Sequence, residues 1–130
     1  MLYVHASLMA SAFLLSLTGF ISARFLRSKR WWLRLHRTLG IIGTICLIAG
    51  AVAAIVMISR LGEGHFDVPH TWLGLATILV GISALTIGYL QFKVPSAIVK
   101  LRMWHHRLGY TTIIFLPLTV LSGLFAAGVL

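Results

Sequence analysis

The chain has 130 residues, is 59% hydrophobic, carries a mean hydropathy of +0.99 and has only 10% charged residues. A soluble domain of this length cannot hide so much apolar surface in one core, so the composition excludes that class and points to a membrane protein with a single domain over residues 1–130. The formal net charge of +9 does not imply nucleic-acid binding, because the cations sit in short turns between apolar stretches and form no separate basic domain.

About 20 apolar residues cross the hydrocarbon core as a helix. The first stretch that meets this runs from about Leu2 to Ala23 and contains His5. It begins almost at Met1, lacks a basic leading region and is longer than the apolar part of a signal peptide, so no cleavable signal is expected. A basic turn follows, with Arg24, Arg27, Lys29, Arg30, Arg34 and Arg37. The second span covers about Leu35–Ile58 and opens on His36. Its Cys46 is the only cysteine; mid-span in an apolar run, it reads as a small buried hydrophobe.

The next connection, Leu61 to Asp67, is polar and glycine-bearing, with Glu63, His65 and Asp67. Asp67 is placed to cap the third helix, and Pro69 falls in its first turn, where a missing N–H costs nothing. The third span runs from His70 to about Phe92. Pro95 and Ser96 mark a loop, and Lys93, Lys100, Arg102 and Arg107 make this the second basic turn. The fourth span covers about Met103–Val129, with His105, His106 and an internal Pro117 expected to kink it.

Arg60 is the only cation in the middle connection, so the positive-inside rule puts both basic turns in the cytoplasm and both termini outside. Trp31, Trp32, Trp72 and Trp104 fall near span ends, as interfacial aromatics do.

Each span carries a histidine near its start, and successive spans run in opposite directions. His5 and His70 therefore belong to one membrane face, His36 and His105 to the other. Three of them begin an H-x-x-x-G repeat: His36 to Gly40, His70 to Gly74 and His105 to Gly109. At about 100° per residue, Gly74, Gly81 and Gly88 lie within roughly 40° of His70, and Gly40, Gly43 and Gly50 do so for His36. Gly109 and Gly123 share the face of His105, and Ala12, Ser16, Gly19 and Ala23 that of His5.

Small residues on one face let membrane helices approach closely, which accounts for glycine alone. Imidazole in lipid points inward and does something, and all four share the small-residue face. A flat macrocycle between helices needs both an axial nitrogen and missing side chains beside it. In a bundle with short loops, helices one and three are diagonal, as are two and four. His5 with His70 would clamp an outer haem iron and His36 with His105 an inner one. With both axial positions filled, electron transfer is favoured over oxygenation. His105 and His106 point about 100° apart and cannot both face one haem. The repeat favours His105 and leaves His106 to a propionate, a neighbouring helix or the interface. Arg24 and Arg107, nearest the span ends, are the cations best placed for a function beyond anchoring.

These motifs carry a family resemblance. His5 with Leu8, Met9 and Arg24 resembles the opening of the cytochrome b561 family, and His36 to Gly40 resembles its second core helix. His70 to Gly74, ending in Leu90 and Gln91, resembles its third, and Trp104 to Tyr110 its fourth. The resemblance implies an all-α integral membrane four-helix bundle holding two haem b groups, with transmembrane electron transfer. It implies a donor such as ascorbate or quinol. The acceptor it implies is ferric iron, monodehydroascorbate or a partner redox protein, as in a ferric-chelate or ascorbate-dependent reductase. Animal and plant members usually have six helices, one flanking each side of this core. A four-helix core is expected to form a homodimer or to dock as a subunit of a larger membrane complex, and it reads as a bacterial inner-membrane protein. Two other functions compete: a haem-bearing subunit relaying electrons between quinol and a bound enzyme, and a non-redox bundle handling metal or protons.

Overall fold

The computed structural model describes residues 1–62 and 64–129. Four helices follow one another: α1 (Leu2–Phe25), α2 (Trp32–Leu61), α3 (Pro69–Leu90) and α4 (Ile98–Ala126), the last entered through a 3-10 turn, Pro95–Ala97. Each is long and apolar enough to cross a membrane, so the chain is a multi-pass integral membrane protein. Lipid dictates this architecture: with no water to bond, every backbone N–H and C=O must be satisfied within the span.

Three helices outrun the predicted spans at the basic end, whereas α3 stops at Leu90, short of the expected Phe92. α2 begins at Trp32 and α4 at Ile98, ahead of the expected Leu35 and Met103. A 30-residue helix is about 45 Å long against a hydrocarbon core of about 30 Å, so its ends continue into the headgroup region. Arg24, Arg34, Lys100 and Arg102 consequently lie on helices, as Arg37 and Arg107 do within the expected spans. His105 is likewise well inside α4. At the other end of α2, Gly62 stops the helix with a left-handed φ of 71°, a conformation that glycine adopts without penalty.

One capping expectation fails. The residue before α3 is Val68, and no side chain caps the helix. Pro69 does occupy the first turn, where it removes one of the N–H groups that the helix start leaves unpaired. Glu63 lies outside the described residues.

α1 packs most extensively on α2, and α3 on α4; α1 with α4 and α2 with α3 close the ring more loosely. Among the described residues the diagonal pairs, α1 with α3 and α2 with α4, make no backbone contact. The tight pairs are tight because side chains are small. A Cβ on Gly43 would sit 2.9 Å from Ser16 Oγ, and one on Gly50 3.1 Å from Met9 Sδ. Gly43→Ala should therefore destabilise the α1–α2 pair by about 1–3 kcal/mol despite the better helix propensity of alanine. Thermal unfolding in detergent should show a lower midpoint, restored in part by adding Ser16→Gly.

The middle of the bundle holds the core. Met9, Ala12, Leu47 and Leu116 are buried together, flanked by Phe13, Cys46, Ile78 and Val120. Beside them the buried hydroxyls of Thr77 and Thr119 are 2.7 Å apart and join α3 to α4. On every helix this layer falls between a histidine and the point where a neighbour's histidine arrives. It divides the bundle into two levels.

Candidate functional site

Two pairs of imidazoles meet across the diagonals. The rings of His5 (α1) and His70 (α3) have centroids 6.2 Å apart, and those of His36 (α2) and His105 (α4) 5.8 Å apart. The ring planes cross at 83° and 78°. Two imidazoles bound to one metal ion through nitrogens at about 2.0–2.1 Å would place their centroids about 6 Å apart, which both pairs match.

Each ring is oriented by the helix it packs beside. The Nδ1–H of His5 donates to the Gly50 carbonyl at 2.8 Å, and that of His36 to the Gly19 carbonyl at 2.9 Å. These two bonds link α1 and α2 in both directions. His105 Nδ1–H donates to the Ala84 carbonyl at 2.9 Å, and His70 Nδ1–H to Ser122 Oγ at 3.0 Å, linking α3 and α4 in the same way. A helix carbonyl already serves its own ladder but keeps a second lone pair for such a donor. The acceptors Gly19, Gly50 and Ala84 are small residues, which lets a ring approach the backbone. Placing the proton on Nδ1 leaves Nε2 as the basic nitrogen, and among the described residues no Nε2 of these four rings is hydrogen-bonded. Metal-bound histidines typically show this arrangement: one nitrogen held by a carbonyl or hydroxyl, the other free to ligate.

The glycine stripe divides into three roles. Gly43, Gly50 and Gly81 let helices approach. Gly88 and Gly123 make room for rings: a Cβ on Gly88 would be 2.8 Å from His105 Cε1, and one on Gly123 2.9 Å from His70 Cε1. Gly40 and Gly109 face open space, with no atom within 4 Å of an added Cβ. Gly74 has only Thr119 Cγ2 near it, at 3.9 Å.

The open space is a cavity of about 810 Å³ between the two helix pairs at the basic end. His36, His105, Gly40, Gly81 and Gly109 line its interior, and Arg24, Arg27, Arg37, Arg102, Tyr89 and Gln91 its mouth. No carboxylate lines it among the described residues, so its potential favours an anion. His106 also lines it, with its ring 6.3 Å from that of His105. Arg107 does not reach the cavity; its guanidinium lies over the Trp104 ring, 5.5 Å from the centroid. Arg37, Tyr89 and Tyr110 were not picked out as site residues by sequence, and Arg102 was placed in the basic cluster but ranked below Arg24 and Arg107. Arg37 could have been, since it follows His36 directly. His65 stays in the connection between α2 and α3, 3.0 Å from Ser59 Oγ.

Among the described residues no group of three or more His, Cys, Asp or Glu side chains comes together. A metal carried in its own planar ring needs only two axial ligands, and the paired imidazoles and bare glycines suit that.

A family model described as eukaryotic cytochrome b561 matches residues 1–127. The chain belongs to the cytochrome b561 family. No curated protein and no solved structure gave a significant match. Cytochrome b561 membership and a membrane-spanning helix bundle together support a redox or electron-relay role, and the family name implies a haem-binding type. The ordered motifs that resembled cytochrome b561 in sequence lie in all four helices of the bundle.

Proposed function

We propose that this chain carries electrons across the membrane through two b-type haems held by diagonal imidazole pairs, His5 with His70 and His36 with His105. The observation that carries this reading is the double coincidence at each pair. The ring separation suits one shared metal ion, and every Nδ1–H is already committed to an acceptor. Haem held there by His5 and His70, and by His36 and His105, would supply reversible one-electron chemistry.

The chain's own residues do the rest. The Nδ1–H bonds hold each ring's tautomer and direction and raise the basicity of Nε2. Gly40 and Gly109 keep side chains out of the inner cavity, while Arg24, Arg27, Arg37 and Arg102 offer positive charge to carboxylates at its mouth. The same cations would draw in an anionic reductant such as ascorbate. The basic end faces the cytoplasm, with both termini on the opposite side. The acceptor there is a ferric chelate, monodehydroascorbate or a redox protein.

The test is spectroscopic. A reduced-minus-oxidised spectrum of the purified protein should show b-type haem at about two per chain. Vesicles loaded with ascorbate should reduce an external ferric chelate only when the protein is present. A colourless protein after expression with ample haem would overturn the reading.

A further inference from the structure

We propose that Ser122 is a positioning residue that sets the reduction potential of the outer haem by holding His70. This rests on the two-haem reading above. Three of the four imidazoles donate Nδ1–H to backbone carbonyls, of Gly50, Gly19 and Ala84. His70 alone donates to a side chain, Ser122 Oγ at 3.0 Å.

The direction of that bond is determined by its surroundings. Ser122 Oγ lies 2.9 Å from the Thr119 carbonyl and donates its proton there. The hydroxyl is then an acceptor towards the imidazole, so the Nδ1–H of His70 must be the donor. Thr119 is itself anchored: it is buried, and its hydroxyl meets that of Thr77 at 2.7 Å. Ser122 is therefore held in place by the buried layer between the two levels. It passes that rigidity to the His70 ring, which also faces the Thr119 carbonyl and is the one of the four with a side-chain acceptor.

The partner of a ligating imidazole governs how much electron density the ring gives the metal, and hence the balance between ferric and ferrous iron. Removing the hydroxyl leaves the Nδ1–H only the Thr119 carbonyl, which Ser122 Oγ no longer holds in common with it; the weaker bonding makes His70 a poorer donor and destabilises the ferric form. Only the level held by His5 and His70 should respond, because the His36 and His105 rings are oriented by Gly19 and Ala84.

The experiment is a potentiometric titration of the purified holoprotein with Ser122→Ala, Ser122→Cys and Ser122→Thr, each beside the unaltered chain. The outer haem is assigned as the one missing from His5→Ala. In Ser122→Ala its reduced-to-oxidised ratio at fixed poise should rise about tenfold, a shift of about 59 mV for one electron. Ser122→Cys, which keeps size but accepts weakly, should shift in the same direction by less. Ser122→Thr, which keeps the hydroxyl, should restore the original value. The inner potential should stay in place throughout and serves as the control for folding. Unchanged or lowered outer potentials in Ser122→Ala and Ser122→Cys, or equal movement of both haems, would overturn the role of Ser122 and leave the two-haem reading standing. Absence of two haems from the unaltered chain would overturn both.

Discussion

Replacing His36 or His105 by Ala is expected to cut haem content from about two per chain to about one, removing the level near the basic end and sparing the other. The two levels are built from separate parts. His36 and His105 meet at 5.8 Å and are oriented by Gly19 and Ala84; His5 and His70 meet at 6.2 Å and are oriented by Gly50 and Ser122. Met9, Ala12, Leu47 and Leu116 pack between them. Losing one ligand therefore leaves the opposite pair with its partners intact. His5→Ala and His70→Ala should show the reverse, keeping the inner haem. His106→Ala should keep both, since its ring is not the one opposite His36. Haem content per chain and the surviving α-band measure each outcome. Retention of both haems in His36→Ala and in His105→Ala would mean that the inner ligands lie elsewhere.

Gly88→Ala and Gly123→Ala should each weaken one haem by about 10–100-fold without touching a ligand. An alanine Cβ at position 88 would lie 2.8 Å from His105 Cε1 and 2.9 Å from Nδ1; at 123 it would lie 2.9 Å from His70 Cε1. These are closer than real carbon contacts allow, so the ring must swing. The Nδ1–H bond to Ala84 or Ser122 then breaks. Helix propensity works in the opposite direction, since alanine gains up to about 1 kcal/mol over glycine in a helix. The signature is therefore haem loss with helicity retained, inner for Gly88 and outer for Gly123. Gly40→Val and Gly109→Val probe the complementary case. Nothing in the protein stands within 4 Å of a Cβ at either place, so a fall in inner haem content there reports the macrocycle itself. If all four variants bound haem as tightly as the unaltered chain, the glycine faces would have no part in holding it.

Several features of the fold were legible because they depend on periodicity and length alone. Apolar runs longer than a bilayer require helices, and short connections require antiparallel neighbours. Placing His5 on the same face as Ala12, Ser16 and Gly19 needs only the helical repeat. The helix starts at Trp32 and Ile98 were missed for a physical reason: hydropathy marks the hydrocarbon boundary, whereas a helix continues into the headgroups while its basic side chains remain solvated. Asp67 looked like a cap by position, but the residue adjoining the helix is Val68, and no side chain caps α3.

The candidate site was legible to a different depth. The four histidines, and the alternation that sends them to two levels, follow from the order of residues and the reversal of each span. Which glycine does which task does not. Gly43, Gly88 and Gly40 look alike in a helical projection, yet one meets Ser16, one meets His105 and one meets empty space. The Nδ1–H acceptors were equally hidden, because a carbonyl belongs to every residue and only packing chooses Gly19, Gly50 and Ala84. Likewise Arg107 and Arg102 are both near His105 in sequence, but α4 turns Arg102 to the cavity and Arg107 towards Trp104.

Sequence by itself determined the number of spans, the family motifs and the two-by-two sorting of histidines, since each is a matter of spacing along one chain. Tertiary structure alone decided that diagonal rings come within about 6 Å, that small residues bare a carbonyl for each of three rings, and that Ser122 serves the fourth. Those outcomes depend on how closely α1 settles on α2 and α3 on α4. That closeness is set by side-chain volume meeting side-chain volume across helices distant in the chain.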